Sequence, residues 1–214
     1  MICPQCCGFD EFFNAKMASR QLKRYRRKGP AKPTRLLIEA LLAEGVGGRS
    51  LIDIGGGIGA IQHELIRAGV RRAVDVDGSR AYIEAARREA KRQGHDDRVQ
   101  FHLGDFVDVA DRIESADIVT LDRVVCCYPD MQTLLDRSTA RARRLCGLVF
   151  PRRNWLMKLA LPLLNTINRL RRCPMRFYLH PPAEIDRVIR EAGLDLRCKQ
   201  KTLLWEVAVY ARAV

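Results

Sequence analysis

An α/β fold built on a doubly wound, mostly parallel sheet is what this chain predicts, and three observations carry the prediction. Short apolar runs alternate with helical patterns at the spacing that βαβ units require. A glycine-rich turn, Gly55-Gly56-Gly57-Ile58-Gly59, directly follows the first of those runs. The last two runs are joined so tightly that they call for an antiparallel hairpin, because a parallel crossover needs about a dozen residues. With 214 residues and 47% hydrophobic content, the chain can build one core and has little room for a second.

Taken in order, residues 1–33 form a basic N-terminal arm or cap and residues 34–214 the domain proper. A helix is expected over 34–44, where Leu36, Leu37, Ala40 and Leu41 share a face, with Thr34 as its N-cap and Gly45 as its stop. Strands are expected at 50–54, 72–76, 99–103, 116–121 and 145–150, with helices in most of the gaps. Residues 151–176 are an insertion that forms a helical cap. Leu156, Leu159, Leu163, Ile167 and Leu170 fall there at helical spacing, with Lys158, Asn165, Asn168 and Arg169 off the stripe. Pro162 should kink that helix or mark its first turn. A helix near 182–192 leads into the hairpin strands at 194–199 and 203–212. Right-handed crossovers then place a ligand crevice at the carboxyl ends of the first strands, where strand order reverses.

No apolar run approaches the roughly 20 residues of a membrane span, and the first residues lack the basic and apolar regions of an export signal. A cytoplasmic protein whose eight cysteines are reduced is expected. The net charge of +13 is concentrated in two acid-free segments, nine bases in 16–35 and eleven in 137–183, while the remainder is net acidic. Two surfaces facing an anionic partner are the economical explanation.

The glycine turn lets a backbone approach a ligand where a Cβ would collide. Gly55, Gly57 and Ala60 also satisfy the spacing of a dinucleotide fingerprint, so the neighbouring acids must discriminate. Asp53, two residues before Gly55, would oppose a pyrophosphate but could accept from an ammonium group. Asp77 closes the second strand, where a carboxylate can take both hydroxyls of a ribose. Asp105 and Phe106 follow the third strand, one an acceptor for an adenine amino group and the other a flat face for its ring.

Together, Asp53-x-Gly55-x-Gly57-x-Gly59, Asp77-Gly78-Ser79 and Gly104-Asp105-Phe106 resemble the motifs of the class I S-adenosylmethionine-dependent methyltransferases over about residues 34–212. The resemblance implies a Rossmann-like fold and S-adenosyl-L-methionine as cofactor. It implies that Gly55, Gly57 and Gly59 hold the methionine portion, Asp77 the ribose and Asp105 the adenine. Within that family, Gly8-Phe9-Asp10-Glu11-Phe12-Phe13 ahead of a basic helix is similar to the magnesium-protoporphyrin O-methyltransferase branch, whose tetrapyrrole substrate is not carried over with it.

Methyl transfer from a sulfonium is an in-line displacement, so positioning dominates and a base is needed only for a hydroxyl or amine acceptor. Asp122 and Tyr128, after the fourth strand, are the leading catalytic candidates, with His180 behind them. His63 and His95 read as surface histidines. No metal site is expected, although Cys6 or Cys7 could meet Cys126 or Cys127 over the substrate mouth and hold a soft ion. The expected acceptor is a small, anionic, partly apolar molecule under a lid formed by the cap, with O-methylation favoured. The cap helix also suits an anionic membrane surface. RNA is a less favoured acceptor, because only 7% of residues are aromatic and no RNA-binding module is visible. A third alternative is a non-catalytic, cofactor-binding module that docks on a membrane or partner.

Overall fold

The computed structural model describes residues 4–213, with side chains from Gly8 onward. Helices α1 (Pro4–Phe12), α2 (Ala15–Lys28) and α3 (Lys32–Ala43) precede a sheet whose first five strands alternate with helices. These are β1 (Ser50–Ile54), α4 (Ala60–Arg67), β2 (Arg72–Asp77), α5 (Arg80–Gln93), β3 (Val99–Leu103), α6 (Phe106–Val109), β4 (Ala116–Asp122), α7 (Met131–Arg141) and β5 (Ala142–Pro151). Helices α8 (Trp155–Leu170) and α9 (Pro182–Glu191) follow, then β6 (Leu194–Lys201) and β7 (Trp205–Arg212).

The sheet runs β3-β2-β1-β4-β5-β7-β6. The first five strands are parallel; β7 lies antiparallel between β5 and β6, so the expected hairpin closes the sheet. This is the Rossmann-like arrangement, and its order reverses between β1 and β4. Period-two alternation splits each central strand between two cores. Leu51, Ile118, Leu145 and Val207 pack under α3 and α4, whereas Ile52, Val119, Leu148 and Ala208 pack under α7 and α9.

Three local expectations are corrected. The first helix of the domain begins at Lys32, because Pro33 is pre-set for a first helical turn; Ala31 occupies the N-cap and the Thr34 hydroxyl bonds Asp122 Oδ2 instead (2.6 Å). His63 and His95 are buried, with their Nδ1 atoms 3.2 Å apart, since α4 and the end of α5 press together behind the glycine turn. In α8 the inward residues are Met157, Leu161 and Asn168, while Leu159, Leu163 and Leu170 point outward. Asn165 and Asn168 take inward positions because their amides satisfy the backbone of the returning chain at Phe177 and Met175. Pro162 lies inside the helix rather than in its first turn.

A candidate cofactor and acceptor site

The carboxyl ends of β1, β2 and β4 open on a cavity of about 530 Å³, within the range of small-molecule sites. Strand alternation gathers acids there. Asp53 stands in register with Asp75 on β2 and with Thr120 on β4, and Asp77 and Asp122 lie two residues further along the same face.

The turn from β1 to α4 has left-handed backbone at Gly55 (φ 63°) and Gly59 (φ 80°). A Cβ on Gly55 would lie 2.5 Å from Val124, and one on Gly59 2.3 Å from Gln62 Nε2, so both positions require glycine. Gly55 and Gly57 line the cavity, whereas Gly59 turns the chain into α4 without lining it. Gly57 donates its N–H to Asp77 Oδ2 (3.0 Å) and Ser79 donates to Oδ1 (2.8 Å). The Asp77 carboxylate is therefore fixed at the cavity wall.

Asp53 is 1% exposed; the Thr120 hydroxyl donates to Oδ1 (2.7 Å), and Oδ2 has no hydrogen-bond partner among the described residues. Burial pushes its carboxyl up to about 7, against the Thr120 hydrogen bond and with help from the charges of Asp122 and Asp77. Asp77 is raised to about 6, also by burial, with the Ser79 and Gly57 amides pulling the other way. Burial raises Asp75 well above the carboxylate range, and the charges of Asp53 and Asp77 add to it. A cavity that collects carboxyls it cannot cheaply ionise is complementary to a cation and hostile to a pyrophosphate. The residues therefore fit the ammonium and sulfonium of S-adenosylmethionine, with Asp53 Oδ2 as an unsatisfied acceptor.

At the opposite wall, Gly104 and Phe106 line the cavity and Phe106 is fully buried. Asp105 is not among the lining residues. Its Oδ1 caps α6 through the Val107 N–H (2.9 Å) and accepts from the Tyr128 hydroxyl. Tyr128 thus lines the cavity with its hydroxyl directed to Asp105. The N-terminal arm forms the roof: Phe9 packs on Gly78 and Tyr128, and Phe13 lies edge-on to Tyr82. Asp10 Oδ1 accepts from Arg80 N–H, and Ser79 donates to the Phe13 carbonyl, which ties that roof to the start of α5.

The other half of the cavity is bounded by Pro151, Met157, Leu161, Leu164, Phe177 and Trp205. One charged pair stands among them. Arg123 has left-handed backbone (φ 63°), and its Nε and Nη2 grip Asp122 at 2.9 Å each, while Thr34 supplies a third donor to the same carboxylate. The Arg123 guanidinium also lies 6.0 Å from the Trp205 ring centre. Cys126 and Cys127 line the cavity, and a hydrogen bond with the neighbouring Cys126, followed by burial, holds the Cys127 thiol well above its usual range. Whether Cys6 or Cys7 approaches them lies outside the described side chains. Among the described residues no group of three or more His, Cys, Asp or Glu could hold a metal.

His180 does not face the cavity: its Nε2 lies 2.8 Å from the Tyr128 carbonyl and its ring stacks on Tyr178. Sequence reasoning passed over Arg123, Tyr82 and Trp205. Arg123 stood directly beside Asp122, but only its backbone geometry turns it into the site. Tyr82, buried with a hydroxyl that has no partner among the described residues, carried no signal beyond its place in an ordinary helix.

Comparison with known proteins agrees with this geometry. A family model described as a methyltransferase domain matches residues 46–196. Magnesium protoporphyrin IX methyltransferase from Synechocystis, solved with S-adenosylhomocysteine, is 18% identical and superposes with a TM-score of 0.74 over 95% of this chain and 97% of that one. An O-methyltransferase family protein from Burkholderia thailandensis is 17% identical, with a TM-score of 0.70 over 96% of this chain and 63% of that one. The same identity and TM-score describe a Haloferax volcanii chain solved as a complex between the Trm112 methyltransferase activator and a putative methyltransferase, with 96% and 98% covered. No curated protein matches the chain by sequence. The chain belongs to the class I S-adenosylmethionine-dependent methyltransferases.

Proposed function

We propose that this methyltransferase acts on a small, anionic, partly apolar acceptor, with oxygen as the favoured methylated atom. One observation carries the reading: the acceptor half of the cavity is bounded mainly by apolar side chains, and beside them stands the Arg123 guanidinium, an obligate cation that grips Asp122, with Arg24 the other cation lining the cavity. A carboxylate or phenolate would find its counter-charge there while its body packs on Leu161, Leu164 and Trp205. The cofactor supplies an electrophilic methyl group on a positively charged sulfur. The chain's own residues supply position and dryness: Asp53 and Asp77 fix the cationic and ribose parts, Phe106 flanks the ring, and Phe9 and Phe13 exclude water from above.

In this reading Asp122 is a positioning residue. With three donors already on its two oxygens, it is placed to aim Arg123 rather than to take a proton. Tyr128 likewise positions Asp105, and a carboxylate acceptor needs no base at all. The test is to supply methyl-labelled cofactor with separated acidic small-molecule, lipid and RNA pools. Label entering the acidic small-molecule pool supports the reading, and label confined to RNA overturns it. RNA is the second reading, carried by the exposed bases of α2; it requires activity that collapses steeply with salt.

A further inference from the structure

Helix α8 has two apolar faces, and the cavity uses one. Met157, Ala160, Leu161 and Leu164 line the cavity, and the Asn165 and Asn168 amides fasten the helix to the chain that returns beneath it. The opposite face presents Trp155 (69% exposed), Leu159, Leu163 and Leu170 (79%) along one stripe. The β6–β7 turn extends that stripe, because Asn154 Nδ2 donates to the Leu203 carbonyl (2.8 Å) and Arg152 N–H to the Leu204 carbonyl (2.9 Å). Of the eight large apolar side chains exposed among the described residues, these six form the one cluster. Burying such a surface is favourable, so it implies a partner.

The charges around it say which kind. Arg153, Lys158, Arg169, Arg171 and Arg172 are exposed beside the stripe, and no acid occurs between residues 137 and 183. A second copy docked face to face would set these bases against their own counterparts, an arrangement that costs affinity. Apolar residues on one line, an indole at its end, and bases along one side and at both ends are instead the pattern of a helix lying in the plane of an anionic bilayer.

We infer that the outer face of α8, with the Leu203–Leu204 turn, docks on an anionic lipid surface. Leu159 and Leu163 enter the headgroup boundary while the flanking bases meet lipid phosphates. The helix then stands between the bilayer and the acceptor half of the cavity. This docking does not depend on which acceptor the enzyme methylates.

The full chain should co-sediment with vesicles of phosphatidylcholine plus phosphatidylglycerol, and weakly or not at all with phosphatidylcholine alone. Leu159→Ser combined with Leu163→Ser should lower partitioning by about tenfold or more, in line with the loss of buried apolar area, while calorimetric binding of S-adenosylhomocysteine stays intact. Lipid-borne nitroxide should quench tryptophan emission in the unaltered protein and lose most of that effect in Trp155→Phe. Absence of binding to anionic vesicles overturns the inference, as does equal binding by the double variant. A wild-type dimer in light scattering that the double variant dissolves would also overturn it and assign the face to self-association. If cofactor binding fails while vesicle binding holds, the fault lies with the proposed activity and not with the docking.

Discussion

If Asp53 receives the cofactor's ammonium as proposed, binding that cation and releasing a proton become the same event there. Its carboxyl sits near 7 in the free protein because burial disfavours the charge, and a bound ammonium restores the ionised form. Cofactor affinity should therefore rise with pH between about 5.5 and 7, by up to tenfold per unit, as the proton that must leave becomes easier to remove. Calorimetry in buffers of different ionisation enthalpy should show proton release near pH 7, and Asp53→Asn should bind more weakly with a flattened pH profile. Asp77→Ala removes an acceptor held by two backbone amides and should cost about 1.5–3 kcal/mol of cofactor affinity, the scale of hydrogen bonds to charged groups. A variant that binds S-adenosylhomocysteine like the parent would remove Asp77 from the ribose site.

At the scale of elements, the glycine turn after β1 and the turn after β4 do different work. Gly59 holds left-handed backbone where α4 begins and has no room for a Cβ. Gly59→Ala should cost at least about 1–2 kcal/mol in denaturant titrations from the backbone alone, before any displacement of Gln62 or His63. Arg123→Gln withdraws the cation that stands beside Trp205 and the apolar half of the cavity. It should raise KM for an anionic acceptor about tenfold or more while S-adenosylhomocysteine affinity holds, since the loss is a charge-assisted contact. An unchanged KM would dissociate Arg123 from the acceptor.

For the whole molecule, the buried acids that are raised and the groups that are lowered pull stability in opposite directions with pH. Asp53, Asp75 and Asp77 are raised in the folded state, so the native protein keeps protons that the unfolded chain releases. Their contribution is fully present below about pH 4, the carboxylate value of unfolded chains, and is lost as pH rises, through about 6 for Asp77 and about 7 for Asp53, with Asp75 shifted in the same direction. Glu89 is the counterweight. Its hydrogen bonds to Arg92, Gln93 and Arg26 outweigh its desolvation and lower it to about 2, so its contribution is present above about pH 4.5 and lost on acidification. His63, lowered to about 4 chiefly by burial, adds to the acid side, because the unfolded chain takes up a proton there first. Denaturant midpoints should therefore fall on both sides of a maximum in mildly acidic solution. Asp75→Asn, which removes a raised acid, should make the decline toward pH 8 shallower; an unchanged slope would show that Asp75 does not titrate there. Saturating S-adenosylhomocysteine should raise the midpoint most at the alkaline end, where the carboxyls are ionised and their repulsion is unrelieved.

The chain alone determined its fold class, its hairpin-terminated sheet and the gathering of Asp53, Gly55, Gly57 and Asp77 at one crevice, because these rest on local rules. Period-two runs make strands, a left-handed turn demands glycine, and an acid at a strand end faces the crevice by topology. Tertiary structure decided what each polar group spends its lone pairs on, and that depends on neighbours far away in sequence. Thr34 looked like a helix cap and instead bonds Asp122, 88 residues away. The hydroxyl of Tyr128, a candidate base in the sequence, donates to Asp105, and His180 Nε2 lies against a backbone carbonyl. The stripe of α8 announced an amphipathic helix, yet which side faced the cavity was set by two asparagines that satisfy a returning backbone. Periodicity counts apolar residues around a helix; it does not register buried amides that must be paired.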